Sequence, residues 1–211
     1  MLNKIILASA SPRRKELLAA AGIPFEVIPA NITERQGDHE PPESFVRRVA
    51  RDKAWEVLSR LPRDAPQTVL GADTVVLVDN TTLGKPSSAA EAAVMLRALS
   101  GKKHQVLTAV CLLHCTATPA ARSVPITEDT RTAITTVRFS HLSEMEIQEY
   151  VATGEPFDKA GAYAIQGRAS KFVESIEGCY FNVVGLPVSL VYQMLTEMEC
   201  TLKGSQGTAS L

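Results

Sequence analysis

Lys4-Ile5-Ile6-Leu7-Ala8-Ser9-Ala10-Ser11-Pro12-Arg13-Arg14-Lys15-Glu16-Leu17-Leu18-Ala19-Ala20-Ala21-Gly22 begins with a short apolar, β-branched run and passes at once into a helical pattern. Ser11 is a favourable N-cap, Pro12 suits the first helical position, and Gly22 ends the helix as a C-cap does. A strand, tight loop and helix at the start predict an α/β fold. They also set the loop at the carboxyl end of the first strand, where open α/β sheets place ligands.

Working outward, Phe25 to Pro29 reads as a second strand and residues 43–61 as a long amphipathic helix carrying Phe45, Val46, Val49, Ala50, Ala54, Val57 and Leu61. Thr68 to Asp79 is a nearly continuous β run, expected to be interrupted at Gly71-Ala72-Asp73-Thr74, with Asp79-Asn80 as a turn. Helical spacing returns over residues 88–99. Gln105 to Cys115 and Thr132 to Phe139 read as two longer strands joined by a polar, proline-containing loop over about 116–130. A helix from Ser143 to Thr153, a glycine-rich irregular stretch, a strand from Phe172 to Ile176 and a helix from Leu186 to Lys203 follow. Early alternation with long antiparallel-looking strands in the middle predicts α/β with a mixed sheet. One domain over 1–203 is expected, with a disordered tail over 204–211.

With 211 residues, 45% hydrophobic and 21% charged, the chain has the composition of a globular protein with a real core. Its longest apolar runs are too short to span a bilayer, and its first residues carry no cleavable leader pattern, so cytoplasmic residence with no membrane partner is expected. A net charge of −1 supplies no global attraction for polyanions, which argues against a nucleic-acid binder and leaves any phosphate binding to local groups. Cys111, Cys115, Cys179 and Cys200 have neither C-x-x-C spacing nor scaffold density. On one strand Cys111 and Cys115 would lie about 13 Å apart, too far for one ion.

Five constellations can carry chemistry. Ser9-x-Ser11-Pro12-Arg13-Arg14 offers free amides at a helix start, hydroxyls and two cations for phosphate oxygens; the plain alternative is an N-cap followed by solvated arginines. Asp73 lies inside Val69-Leu70 and Val75-Val76-Leu77-Val78, where a carboxylate is costly unless paired or metal-bound. Lys53, four residues from Val49 and Val57, interrupts an apolar helical stripe and either snorkels at its edge or enters a polar pocket. Lys85 follows Gly84 in a loop, outside any G-x-x-x-x-G-K-[ST] pattern, so no ATPase motor is implied. Residues 154–167 combine glycines with Asp158, Lys159, Tyr163 and Gln166, which offer varied hydrogen-bonding groups to a base or phosphate.

Taken in order, S-A-S-P-R-R, G-A-D-T-V-V, L-G-K-P, L-S-G-K-K-H-Q-V-L-T-A-V, G-E-P-F-D-K-A-G-A-Y-A-I-Q-G and N-V-V-G-L-P resemble the Maf (septum-formation protein) family over about residues 3–195. The resemblance implies an elongated mixed sheet flanked by helices, two lobes with a central cleft, a relation to the inosine triphosphate pyrophosphatases, and a homodimer. It implies hydrolysis of a nucleoside triphosphate to monophosphate and pyrophosphate with a divalent cation, Mg²⁺ or Mn²⁺. By the same resemblance Asp73 falls on the proton acceptor, and Arg13, Thr74 and Gln166 on selectivity positions. Ser9, Arg14, Lys53 and Lys85 fall on the phosphate pocket, and Glu34 on a metal partner of Asp73. Thr74 and Gln166 match the branch acting on dTTP and UTP; the 7-methyl-GTP branch has Gln and Glu there. A longer 116–130 connection and Arg168-Ala169-Ser170 depart from the usual pattern. Two rival readings stand beside this one, a purine-directed pyrophosphatase and a nucleotide-binding regulator of cell division.

Overall fold

The structure, a computed structural model, describes residues 2–62, 65–116 and 125–207. Among these residues seven strands form one mixed sheet: β1 (Ile5–Leu7), β2 (Phe25–Val27), β3 (Gln67–Val78), β4 (Thr81–Leu83), β5 (Lys103–Cys115), β6 (Ile126–Phe139) and β7 (Val173–Glu177). Among the described residues six α-helices cover it: α1 (Pro12–Ala20), α2 (Pro42–Arg60), α3 (Ala89–Leu99), α4 (Glu144–Ala152), α5 (Tyr180–Val184) and α6 (Val188–Gly207). The strand order is β2-β1-β3-β5-β6-β7, parallel among the first three and antiparallel beyond, with β4 also on β3.

Both faces of the central strands are covered, which explains why β3 and β5 read as nearly unbroken apolar runs. On one face, Leu70, Ala72, Val76, Val106, Val110, Val137 and Phe139 pack in a core with residues of α1, α3, α4 and α6. On the other, Val69, Val75, Leu107, Ala109, Cys111 and Leu113 meet the apolar stripe of α2. Fully burying one such valine or leucine contributes about 1.5–3 kcal/mol, so the two cores dominate the stability of the sheet. Gly71 lets α2 approach, because a Cβ there would stand 2.1 Å from the Ala50 carbonyl oxygen.

The pairing register leaves a gap in the sheet. Along one edge of β3, β1 pairs Val69 and Leu70, and β4 pairs Val76 to Val78. Between them Gly71 to Val75 have no strand neighbour on that side, while their other side stays paired to β5. The expected interruption of β3 at residues 71–74 is therefore absent: the strand runs through, and its partner on one edge is what stops.

Other boundaries differ from expectation for local reasons. Strand β6 starts at Ile126, with cross-strand pairs to Cys115, so the connection expected over 116–130 is shorter; residues 117–124 of it lie outside the described residues. Helix α6 runs from Val188 to Gly207, and residues 208–211 of the expected tail lie outside the described residues. Ser11 occupies the N-cap of α1 but its side chain caps no amide; the Ser11 N–H instead donates to Ser9 Oγ at 3.2 Å. Gly22 takes φ +66° just past α1, the left-handed turn that stops the helix. The glycine-rich stretch folds into three short 3₁₀ turns, Glu155–Asp158, Ala160–Ala162 and Arg168–Phe172. Among the described residues no helix is long and apolar enough to cross a membrane.

Candidate functional site

A cavity of about 680 Å³ opens where the sheet is gapped, at the carboxyl end of β1. Every residue singled out from the sequence lines it: Ser9, Arg13, Arg14, Glu34, Lys53, Asp73, Thr74, Lys85 and Gln166. Side chains alternate along a strand, so Asp73 turns toward α2 and Thr74 toward α1 and α5. The gap exposes both to one space.

On the α2 side, Lys53 is 7% exposed and Asp73 6% exposed. The Lys53 ammonium pairs with Asp73 Oδ1 at 2.8 Å and with Glu34 Oε1 at 2.8 Å, and donates to the Ala72 carbonyl at 3.4 Å. Of the two possibilities open for Lys53, the structure takes the polar pocket. Burial pushes the Glu34 carboxyl up, but the charge and hydrogen bond of Lys53, with the charges of Lys85 and Arg14, outweigh it and hold Glu34 below its ordinary value.

On the opposite side, Arg14 is enclosed. Its Nε donates to the Gly185 carbonyl at 2.9 Å, and Nη1 donates to Ser9 Oγ at 3.1 Å and to the Ala72 carbonyl at 2.9 Å. Nη2 donates to Thr74 Oγ1 at 3.1 Å. A guanidinium has five N–H donors, so only one remains for a ligand. Burial lowers the Arg14 pKa, and the charges of Asp73 and Glu34 oppose that shift. The Ala72 carbonyl, on the unpaired edge of β3, thus receives both Arg14 and Lys53.

Arg13 behaves differently from its neighbour. Successive helical residues point about 100° apart, and Arg13 faces the mouth of the cavity. There Nη1 bonds Asp158 Oδ2 at 2.8 Å and Nη2 the Asp158 carbonyl at 3.2 Å, bridging α1 to the glycine-rich stretch. Lys159 holds the other Asp158 oxygen and donates to the Glu155 carbonyl at 2.7 Å. Lys85 sits on the loop after β4, which the Gly161 N–H fastens by donating to the Gly84 carbonyl at 3.0 Å. Gln166 is exposed in a turn held from behind: Tyr150 OH donates to Glu155 Oε1 at 2.8 Å and accepts from the Ala164 N–H at 3.1 Å.

Glu34 and Asp73 are the carboxylates available to a divalent cation. Mg²⁺ is commonly held by one or two carboxylates together with substrate phosphates, and two acids converging on one ammonium fit that mode. Among the described residues no group of three His, Cys, Asp or Glu forms an all-protein cage. Sequence reasoning missed Thr108 and Asn182, which stand behind Thr74: Thr108 Oγ1 lies 2.9 Å from Thr74 Oγ1 and donates to the Asn182 carbonyl at 3.2 Å. The available signal was a hydroxyl inside Val106-Leu107-Thr108-Ala109-Val110, a fainter one than the Asp73 carboxylate because threonine is common in strands.

Residues 4–198 match the family described as Maf-like protein. The dTTP/UTP pyrophosphatase of Moorella thermoacetica is 49% identical over 194 residues, covering 92% of this chain and 94% of that protein. The dTTP/UTP pyrophosphatase of Koribacter versatilis is 48% identical over 191 residues, covering 90% and 92%. Among solved structures, the Staphylococcus aureus Ham1 protein overlays 65% of this chain and 72% of its own with 13% identity and a TM-score of 0.42, too remote a likeness to bear on function.

Proposed function

We propose that this chain, which belongs to the Maf-like protein family, hydrolyses dTTP, UTP and related pyrimidine triphosphates to monophosphate and pyrophosphate. The observation that carries the reading is the junction of a buried Asp73–Lys53 pair, joined from its open side by Glu34, with the amino end of α1 in one cavity, in a chain so similar to enzymes of that name.

The triphosphate lies along the Ser9-to-Arg14 loop, whose amides and the positive end of α1 favour anions. Lys85 and Arg13 supply cations at the mouth, Arg13 held there by Asp158. Arg14, with four donors committed inside the protein, acts mainly as a fixed positive charge beneath the phosphates. Lys53 holds Asp73 by Oδ1, leaving Oδ2 to orient and deprotonate a water. That water attacks the α phosphorus in line; the new O–P bond forms as the bond to the bridging oxygen of the β phosphate breaks. The proton passes to Asp73 and pyrophosphate leaves. A divalent cation, held by Glu34 and Asp73 with phosphate oxygens, would add neutralisation of the charge that builds on those oxygens.

General-base catalysis is worth about 10² to 10⁴ in rate, so Asp73→Asn is expected to lower kcat for dTTP and UTP by about that factor in a protein of unchanged circular dichroism. Near-wild-type release of pyrophosphate by that variant would refute the assignment. Running the purified protein against inosine and xanthosine triphosphates beside the pyrimidines separates this reading from a purine-directed enzyme.

A further inference from the structure

The hydroxyl of Thr74 is more constrained than its place on the cavity wall suggests. It accepts from Arg14 Nη2 at 3.1 Å, lies 2.9 Å from Thr108 Oγ1, and is 3.5 Å from the Gly185 carbonyl. Thr108 is fully buried and has one proton to give. Two directions are possible. Either Thr74 donates to Thr108 and Thr108 to the Asn182 carbonyl at 3.2 Å, or Thr108 donates to Thr74, whose own proton then turns to the Gly185 carbonyl 3.5 Å away or into the cavity. The second leaves the buried Thr108 and Asn182 oxygens 3.2 Å apart with no proton between them, and its contact to Gly185 lies well beyond the usual 2.5–3.0 Å range, whereas the first places a proton in both short oxygen–oxygen contacts. Both carbonyls already accept one other bond, Gly185 from Arg14 Nε at 2.9 Å and Asn182 from the Gly185 N–H at 3.0 Å, so the oxygen–oxygen distances decide. The chain of donation therefore runs from Arg14 through Thr74 and Thr108 to Asn182. Asn182 is itself pinned, its Nδ2 donating to the Val106 carbonyl and to Thr135 Oγ1, both at 2.9 Å.

We infer that Thr108 is a positioning residue that turns the Thr74 proton inward, so that Thr74 offers the cavity one lone pair and recognises the substrate base only as a hydrogen-bond acceptor. A hydroxyl has one proton and two lone pairs, and the proton and one lone pair are engaged inside the protein. This rests on the pyrimidine reading proposed above. Uracil and thymine each carry a single ring N–H, at N3, so that is the group such an acceptor selects. Cytosine has a bare lone pair at the same position and repels it.

Calorimetric binding of the non-hydrolysable α,β-methylene analogues of UTP and CTP tests this without turnover. Thr108→Val keeps the shape of a buried β-branched side chain and removes the acceptor, freeing the Thr74 proton to face the cavity. The UTP-to-CTP analogue affinity ratio is expected to fall at least threefold in Thr108→Val and to return in Thr108→Ser; Thr108→Ala repeats the test should the valine variant not fold. A ratio within threefold of wild type in the folded variant, or no recovery with serine, overturns the inference, as does a wild-type protein that binds neither analogue. A ratio that shifts as expected in a protein that releases no pyrophosphate from UTP refutes the proposed activity and leaves the role of Thr108 standing.

Discussion

Asp73 and Thr74 are neighbours on β3 and look into one cavity from opposite faces of the sheet, yet their surroundings follow different physics. Asp73 meets an ionic wall, with Lys53 shared between two carboxylates and Glu34 open to solvent. Thr74 meets a wall of directed hydrogen bonds running from Arg14 through Thr108 to the Asn182 carbonyl. Charges act over distance and tolerate small displacements, which suits stabilising phosphate and water. Directed bonds fail when one partner moves, which suits reading a base.

The strongest way to break this contrast is Arg14→Met, because Arg14 joins the two walls through the Ala72 carbonyl and Thr74. Removing this buried cation takes one donor from each of four acceptors and is expected to destabilise the fold by about 3–5 kcal/mol in urea unfolding, far more than an exposed arginine would.

Acid should strike the hydrogen-bonded face first. His104, on the same face of β5 as Thr108, is 2% exposed, bonds Tyr163 OH through Nε2 at 2.9 Å, and is pushed down to about 4 by burial. Below pH 6.5 the unfolded chain takes up a proton that the folded chain refuses until about pH 4, so this contribution is complete above 6.5 and is lost as pH falls across that window. The loss amounts to about 3 kcal/mol, and His104→Gln should remove that part of the pH dependence. Equal slopes for both proteins between pH 7 and 4 would count against it. Glu34, held below its ordinary value, keeps its charge through most of the same window, and its stabilisation fades only as pH falls through the lowered value.

The smallest stability effect belongs to Glu34→Gln. The Glu34 side chain is 40% exposed and Lys53 keeps Asp73 as partner, so the cost should stay below about 1 kcal/mol. A larger change in thermal unfolding would show that the ionic wall is as interlocked as the other.

Much of the site was legible. An acid amid valines, a lysine on an apolar helical stripe and a Ser-Pro helix start each violate or mark a local pattern, and local patterns are what a chain displays. The division of labour between Arg13 and Arg14 was not legible, because two adjacent identical residues differ only in which way a helix turns them. Thr108 was passed over because a threonine is at home in a strand, and its importance comes from a hydroxyl on the neighbouring strand, 34 positions away.

The kinds of element, the family and the roster of residues around the cavity could be read from the chain alone, since composition, spacing and ordered motifs are local properties of it. Tertiary structure decided that β3 runs unbroken beside a gap between β1 and β4, that Asp73 and Thr74 share one space from opposite faces, and that Arg14 faces inward. Those outcomes depend on strand register and helix docking, which bring together groups far apart in the chain and leave no trace in local periodicity.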